Sequence, residues 1–409
     1  MAANGDDGER EGRMATSLSD RPFDNYRVAI TDPMEFFGRK AWLENVLKTP
    51  LRIRILLGGR RFGKTSALRA IEWTLLDNAG THRDGPFPIF VSLEVEQPQS
   101  LSNLRYILID RLRGAMQRWR ESPWQGLRET YRRFLRQIVD AEATVSFLKL
   151  KVANPERDRA LEHTDFRTAL LDTIKELSGE GFSGVCFLLD EAEFIVRHDW
   201  ANDACSYFRG LKDTDTALKP FFGIILTGYR GVRDYEQKIG SPLYNIADID
   251  WLPLLDESPV RELIEHRAKA EGINLAAPEF QLVLDWAGGH PFLAQQVINA
   301  VFDEQHGGIS STREQLMEAV LYSRDHDFSS WWNAGGKSDG FGDSERSVYS
   351  ALRQKRKDST KNLANTLSIN ELQVRNTLEL LTGTGVIRQI DVQNYGMGSQ
   401  LFDEWVSKL

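Results

Sequence analysis

The feature that most restricts the fold of this chain is an eight-residue segment, GGRRFGKT, at positions 58–65. An apolar run, RIRILL, precedes it, and a stretch with helical patterning, SALRAIEWTLLDNA, follows it. The segment fits the pattern G-x-x-x-x-G-K-[ST] in the strand, loop and helix context that the pattern requires. Glycines let backbone N–H groups turn inward around phosphates, and the helix N-terminus adds its positive dipole end. The segment therefore predicts a phosphate-binding loop, with a chance match in a strand-to-helix turn as the alternative.

The pattern also assigns roles to side chains. Lys64 is placed to reach the β- and γ-phosphates, and Thr65 is placed to ligate Mg²⁺. The expected ligands are therefore ATP and Mg²⁺. The loop residues predicted to bind the nucleotide are Gly58, Gly59, Arg60, Arg61, Phe62, Gly63, Lys64, Thr65 and Ser66.

An acidic pair supports this interpretation. Asp190 and Glu191 follow the apolar run GVCFLL, which is typical of a strand buried on both faces. In such a pair the aspartate holds Mg²⁺ and the glutamate polarises the attacking water. We therefore predict Asp190, with Thr65, as a metal ligand and Glu191 as the catalytic base. A pair of acidic residues at a helix N-cap is the alternative.

Polar residues also end the apolar segment PFFGIILTG. Thr227 lies at its end, where such folds sense the γ-phosphate, and Arg230 lies just beyond. Thr227 and Arg230 are therefore predicted sensor residues. Arg230 or Arg233 could also serve as an arginine finger for a neighbouring subunit, and a solvated surface arginine is an equal alternative for each.

The order of the apolar segments predicts the fold class. Strands are indicated at RIRILL and at Pro88–Val95, Gly184–Asp190 and Pro220–Gly228, with helical stretches between them. This alternation favours an α/β fold with a parallel sheet. We therefore expect the parallel sheet of a P-loop NTPase, followed by a helical lid and a C-terminal winged-helix domain.

Changes of pattern divide the chain into units. The first residues contain hardly an apolar side chain, so we expect them to form a flexible tail. The predicted units are the tail at 1–22, a P-loop ATPase domain at 23–250 with a helical, arginine-rich insert at about 97–182, a helical lid at 251–332, a linker at 333–344 and a winged-helix domain at 345–409. Within the insert, the alternation in VSFLKLKV at 145–152 predicts a strand or hairpin arm.

Composition excludes several classes of protein. No apolar run approaches the roughly 20 residues of a membrane span, so we expect no membrane partner. Two cysteines, Cys186 and Cys205, cannot form a disulfide framework. The opening residues lack the apolar region of a secretory signal, so we expect a cytoplasmic protein. A net charge of −8 gives no overall attraction to nucleic acid.

Five segments together resemble a known family: FFGRK, GGRRFGKTS, LLDEAE, LTGYRG and GGHPFLAQQ. They are similar to the STAND-type and initiator-like AAA+ ATPases, in particular to the archaeal-ATPase-like group with a P-loop domain, a helical lid and a winged helix. The closing LFDEW resembles the aromatic end of that winged helix. The nucleotide-site residues that the resemblance implies are Phe37, Gly38 and Arg39, by the adenine, and His290 and Pro291, in the lid.

Two departures from the family pattern are visible. The insert is larger than a minimal core needs, and the sequence ends at the winged helix, where many STAND proteins continue into sensor repeats. The resemblance still implies a slowly hydrolysing ATP switch whose nucleotide controls conformation or oligomerisation, in defence or signalling. A homo-oligomer or a protein partner is expected. A DNA-acting initiator-like or transposition-type ATPase and a nucleotide-binding scaffold with little turnover remain as alternatives.

Two basic segments bear on DNA binding. Residues 343–409 hold nine basic and eight acidic residues, a smaller basic excess than DNA-binding modules usually carry. A winged helix packed on the ATPase core is therefore favoured over a phosphate clamp formed by Arg353, Lys355, Arg356 and Lys357. The insert is the better candidate for a polyanion or partner surface, with an amphipathic helical pair as its alternative. The arginines of its arginine-dense central part are Arg105, Arg111, Arg113, Arg118, Arg120, Arg128, Arg132, Arg133 and Arg136.

Overall fold

The computed structural model describes residues 29–30, 35–81, 85–121, 160–238, 240–308, 310–335 and 338–409. The predicted tail at 1–22, the predicted strand at 145–152 and residues 122–159 of the arginine-rich insert lie outside the described residues. No helix in the described ranges is long and apolar enough to cross a membrane.

A five-stranded parallel sheet forms the first part of the chain, in the order β2-β3-β4-β1-β5. The strands are β1 (Ile53–Leu57), β2 (Phe87–Ser92), β3 (Val185–Asp190), β4 (Phe222–Gly228) and β5 (Ala247–Trp251). Every residue of β1, β3 and β4 is buried. Because helices cover both faces of a parallel sheet, its central strands are mostly apolar. The predicted mixed α/β class with a parallel sheet is confirmed.

Helices pack on the two faces of this sheet. They are α1 (Lys40–Leu47), α2 (Lys64–Thr81), α3 (Leu93–Glu96), α4 (Leu101–Glu121), α5 (His163–Gly179), α6 (Glu193–Val196), α7 (Ala201–Asp213) and α8 (Arg230–Gln237). Leu188 of β3 packs with Leu68 of α2 on one face. Its neighbour Leu189 packs with Leu104 and Leu170 on the other face. Successive side chains of a strand point to opposite faces, so β3 is held from both sides.

Two strand predictions need correction. The strand predicted to reach Val95 ends at Ser92, because the Ser92 hydroxyl accepts a hydrogen bond from the Val95 amide and starts α3. The sequence analysis also missed β5. Its sequence ADIDW alternates apolar and acidic residues, which is a strand signal, and Arg54 of β1 pairs with both carboxylates across the sheet.

Four helices follow the sheet: α9 (Glu257–Glu271), α10 (Ala277–Ala287), α11 (Pro291–Gly307) and α12 (Arg313–Trp332). The sequence analysis did not identify α12. Thr312 and Gln315 form a capping box at its start, which is a sequence signal for a helix N-terminus.

The remaining elements form a compact C-terminal part. They are the hairpin β6 (Ala334–Gly335) and β7 (Ser338–Asp339), then α13 (Asp343–Lys355), β8 (Lys357–Ser359), α14 (Thr360–Leu367), α15 (Glu371–Gly383), β9 (Ile387–Gln389), β10 (Asn394–Met397) and α16 (Gln400–Ser407). Strands β8, β10 and β9 form an antiparallel sheet in that order. Phe402 of α16 is fully buried, and its ring lies 5.7 Å from Phe328 of α12 and 5.4 Å from Tyr349 of α13. Aromatic packing therefore joins the C-terminal part to the helices before it.

Replacing Phe402 by alanine is expected to lower the free energy of unfolding by about 3–5 kcal/mol, because a cavity would replace a fully buried ring. Urea denaturation followed by tryptophan fluorescence measures this change. Phe221→Ala is the matched control, since its ring is 37% exposed and its loss should cost about 0.5 kcal/mol. Equal losses for the two variants would contradict the central position of Phe402 in the packing.

Candidate nucleotide-binding site

A cavity of about 450 Å³ lies at the carboxyl end of the parallel sheet. One wall is the segment 60–66, which joins β1 to α2, and Asp190 and Glu191 at the end of β3 form another. Helices α11 and α12, which belong to the predicted lid, form a further wall. The predicted site residues that line it are Phe37, Arg39, Arg60, Arg61, Phe62, Gly63, Lys64, Thr65, Ser66, Asp190, Glu191 and Pro291.

The phosphate loop is held in place by backbone contacts. Lys64 begins α2, and its Nζ atom donates to the carbonyls of Gly58 (2.9 Å) and Gly59 (3.0 Å). The Gly58 amide donates to the Gly228 carbonyl at the end of β4 (3.1 Å). Gly63 has a φ of 84°, a conformation that glycine adopts without strain. These contacts anchor Gly58 and Gly59, and the loop from Arg60 onward faces the cavity.

Two oxygen groups suited to Mg²⁺ meet at the start of α2. The Thr65 hydroxyl donates to Oδ2 of Asp190 at 2.6 Å. The Thr227 hydroxyl donates to the other oxygen, Oδ1, and accepts a hydrogen bond from the Glu191 amide at 3.0 Å. Carboxylate and hydroxyl oxygens are the ligands that Mg²⁺ prefers, and few protein ligands suffice when phosphates supply others. Thr65 and Asp190 therefore fit a magnesium ion, with Thr227 fixing the Asp190 carboxylate.

Glu191 occupies an unusual position. Its backbone has a φ of 60°, and its Oε2 atom is buried without a hydrogen-bond partner in the described ranges. Burial raises the pKa of Glu191 to about 8, and the negative charges of Glu94, Asp190 and Glu193 act in the same direction. A carboxyl group with this pKa is mostly protonated at neutral pH, and only its ionised form can accept a proton. Glu191 lines the cavity, and a general-base role for it stays a prediction.

The FFGRK segment packs against the phosphate loop. The Arg39 guanidinium lies 5.1 Å from the ring centre of Phe62, and its Nε atom donates to the Pro253 carbonyl at 2.8 Å. Its Nη2 atom is buried and has no partner among the described residues. Burial lowers the pKa of Arg39 to about 9, so it stays charged at neutral pH. Gly38 is not a lining residue; it turns the chain where a side chain would contact Pro259.

His290 lies behind the cavity wall. It is fully buried, with its ring stacked on Trp331 at 5.2 Å and edge-on to Phe62 at 5.1 Å. Its Nδ1 atom accepts a hydrogen bond from the Leu293 amide (3.5 Å) at the start of α11. Burial, with the charge of Arg39, lowers the pKa of His290 to about 3, so the ring is neutral. Pro291 reaches the cavity, whereas His290 supports Phe62 and the helix.

Arg230 and Arg233 face the C-terminal part of the same chain. Arg230 forms an ion pair with Glu345 of α13 at 3.3 Å, and Arg233 donates to the Asn376 carbonyl of α15 at 3.3 Å. Their side chains are only 22% and 11% exposed. Neither arginine is among the residues that line the cavity. In this conformation the two arginines therefore connect α8 to the C-terminal part, and a sensor role for Arg230 stays a prediction.

Helix α12 supplies site residues that the sequence analysis missed. Asp327 accepts a hydrogen bond from Arg61 of the phosphate loop at 2.8 Å. The Arg61 guanidinium also lies 4.6 Å from the ring centre of Phe292 on α11. The further lining residues that were not predicted are Ala29, Ile30, Glu35, Phe36, Leu255, Leu263, Phe292, Gln295, His326, Asp327, Ser330 and Trp331.

The carboxyl end of α15 contacts the phosphate loop directly. The Gly59 amide donates to the Gly383 carbonyl at 2.9 Å. A Cβ at Gly59 would lie 2.9 Å from Cα of Thr384, and a Cβ at Gly383 would overlap the indole of Trp251, which ends β5. The Trp251 indole N–H donates to Glu379 of α15 at 2.7 Å. Glycine at both positions lets the two backbones touch, so α15 lies against the loop.

The basic residues of the predicted phosphate clamp are engaged within the chain. Arg353 and Arg356 both pair with Asp403, which is buried. Lys355 pairs with Asp358 at 2.8 Å, and Lys357 pairs with Asp391 at 3.1 Å. These acidic partners neutralise the positive charges that would be needed to bind a phosphate backbone. The pairing favours the interpretation in which this part packs on the core over the phosphate clamp.

Several arginines in the described part of the insert are likewise engaged within the chain. Arg120 bonds to Glu176 and Glu180 of the following helical segment, at 3.0 and 2.8 Å, and Arg111 pairs with Glu96. The Arg105 guanidinium lies 4.7 Å from the Tyr207 ring centre. Helices α4 and α5 thus form an amphipathic pair with a charged outer face. The arginines at 128–136 lie outside the described residues.

No family model and no curated protein matches this sequence. Among solved structures, the Walker-type ATPase PABY2304 of Pyrococcus abyssi matches 94% of this chain and 99% of that chain, with a TM-score of 0.57 at 15% identity. The ADP form of the Aeropyrum pernix ORC2 protein matches 94% of this chain and 96% of that chain, with a TM-score of 0.47 at 11% identity. The likeness to the Pyrococcus structure, together with the sheet described above, shows that this chain has the fold of a Walker-type P-loop ATPase.

Proposed function

We propose that this protein is an ATP-binding and slowly hydrolysing molecular switch, as in the STAND-type AAA+ proteins that its motifs resemble. The contact between Gly59 of the phosphate loop and Gly383 of α15 carries this proposal. A nucleotide that orders the phosphate loop would bias the C-terminal part through that contact, because the two backbones touch. The position of the C-terminal part would then differ between the ATP-bound and the ADP-bound protein.

The side chains of the cavity divide the chemistry between them. Lys64 and the amides at the start of α2 would bind the phosphates of ATP. Thr65 and Asp190 would hold Mg²⁺, which neutralises charge on the phosphates when bound. Glu191 would orient a water molecule and take its proton. Phe37 and Pro291 would contact the nucleoside.

Engagement of the two arginines links the switch to self-association. Arg230 and Arg233 are held by Glu345 and by the Asn376 carbonyl, so they are hidden while the C-terminal part is docked. Undocking would expose both side chains to a neighbouring subunit. We therefore propose a nucleotide-dependent homo-oligomer, and an unchanged solution mass in ATP and in ADP would count against it.

Hydrogen–deuterium exchange of the full chain tests the switch. In the wild type, amides of α15 are expected to exchange at different rates in ATP and in ADP. In Gly383→Ala, the added methyl overlaps Trp251 and separates α15 from the loop, so exchange in α15 is expected to rise roughly tenfold in both states. Gly179→Ala is the matched control, because a Cβ there meets no atom within 4 Å.

The contrary result is specific. If ATP and ADP both protect the phosphate loop but exchange in residues 343–409 is the same in the two states, the switch proposal is wrong. A scaffold with little turnover would show retained binding without hydrolysis. Stimulation of hydrolysis by duplex DNA would favour the DNA-acting alternative, against which the paired basic residues of the C-terminal part argue.

A further inference from the structure

The lid wall of the cavity contains a polar group without a partner. Gln295 lies on α11, four residues after Pro291, and both residues line the cavity. Residues four apart on a helix share a face, so both project from the side of α11 that meets the cavity. The Oε1 atom of Gln295 is buried and has no hydrogen-bond partner within the described part of the chain. A buried amide oxygen is rarely left in this state, because it has lost its bonds to water.

Other polar side chains of the same helix have partners. Asn299 donates to Asp303 at 2.9 Å, and Gln305 donates to Glu279 at 2.8 Å. Gln296, the neighbour of Gln295, also has an interaction partner. Among these side chains, the one without a partner is Gln295, which faces the cavity. A bound ligand would supply the hydrogen bond that its Oε1 atom lacks.

The position of Gln295 identifies the part of the ligand that it would meet. Lys64, Thr65 and Asp190 mark the end of the cavity that receives phosphates and Mg²⁺. Apolar groups line the same cavity, including Phe292, three residues before Gln295 on α11, and Leu263 of α9. Apolar walls with one or two well-placed polar groups are typical of sites that bind and orient a flat, partly polar ring system. This part of the cavity fits a nucleoside.

We propose that Gln295 recognises the nucleoside of the bound nucleotide, with its Oε1 atom accepting a hydrogen bond from the exocyclic amine of the base or from a ribose hydroxyl. This proposal rests on the proposed function, because it needs a nucleotide in the cavity. A site built to bond a donor group rejects an analogue that lacks the donor, since the protein oxygen is then left unpaired. Gln295 is thus a specificity-determining residue.

Equilibrium binding of three nucleotides to the full chain tests the proposal. ATP, GTP and 2′-deoxyATP are titrated against the wild type, Gln295→Leu, Gln305→Leu and Lys64→Ala. Gln295→Leu is expected to weaken ATP binding about tenfold and to reduce the preference for ATP over one analogue. Loss of preference over GTP identifies a base contact, and loss of preference over 2′-deoxyATP identifies a ribose contact. Gln305→Leu, an exposed site on the same helix, is expected to bind like the wild type.

Two results would overturn the proposal. Unchanged ATP affinity in Gln295→Leu would remove Gln295 from the site, and an equal loss for all three nucleotides would show that it does not read the nucleoside. Gln295→Met, which keeps the length of the side chain, replaces the leucine variant if thermal unfolding shows that the latter is misfolded. If the wild type binds no nucleotide, or binds ATP as Lys64→Ala does, the proposed function itself fails. If Lys64→Ala binds ATP more weakly than the wild type but the Gln295 variants bind like the wild type, the function stands and this inference falls.

Discussion

Lys64→Ala is expected to weaken ATP binding by roughly two to three orders of magnitude, because the variant loses the cation that faces the phosphates. Nζ of Lys64 already lies at the cavity, bonded to the carbonyls of Gly58 and Gly59. The rest of the site would stay formed, since Thr65 and Asp190 bond to each other independently of the lysine. The measurement is isothermal titration calorimetry with ATP and Mg²⁺.

Lys175→Ala serves as the matched control for this loss. Lys175 lies on α5 with its side chain 77% exposed, and it pairs with the exposed Asp172 of the same helix. Its removal should leave ATP affinity unchanged, because surface ion pairs of this kind contribute about 0–1 kcal/mol to stability and this one lies outside the cavity lining. Equal affinity of Lys64→Ala and the wild type would refute the role assigned to Lys64.

The central part of the site was predictable from the sequence because local patterns encode it. The loop at 58–65 is contiguous, and the residues that follow β3 and β4 meet at one edge since parallel strands end on the same side. The hydrogen bond between Thr65 and Asp190 and the bond from Thr227 to Asp190 follow from that geometry. Three separate stretches of sequence were therefore enough to propose a magnesium site.

The lid side was not predictable in the same way. Asp327 meets Arg61 across a separation of 266 residues, and only the docking of α12 brings them together. Arg230 forms its ion pair with Glu345, and the Gly59 amide donates to the Gly383 carbonyl. Both partners are distant in the sequence. Helical patterning indicates which face of a helix is buried but not which distant element covers it. The contacts that support a switch are therefore visible only in the structure.

The same distinction applies to two sets of acidic residues, Asp248 and Asp250 in β5 and the pair Asp190 and Glu191 at the end of β3. Asp248 and Asp250 reduced the apolar character of β5, and their pairing with Arg54 became apparent only when the strands were placed side by side. Asp190 and Glu191 also follow a strand, but their partners come from a recognisable loop. Charges in a strand are thus informative when a known pattern supplies their partner.

Glu191→Gln is expected to slow ATP hydrolysis by roughly 10² to 10⁴ while ATP affinity is retained, because a general base typically contributes a factor of this size. The amide has nearly the shape of the carboxyl group but cannot accept the proton of the attacking water. Folding should be preserved, since burial and the charges of Glu94, Asp190 and Glu193 already disfavour the ionised form of Glu191, and glutamine is uncharged. Turnover is measured as phosphate release at saturating ATP, with Glu176→Gln as the matched control because Glu176 is exposed on α5. A rate equal to that of the wild type would mean that another group activates the water, and weakened ATP binding in place of a slower rate would assign Glu191 to binding.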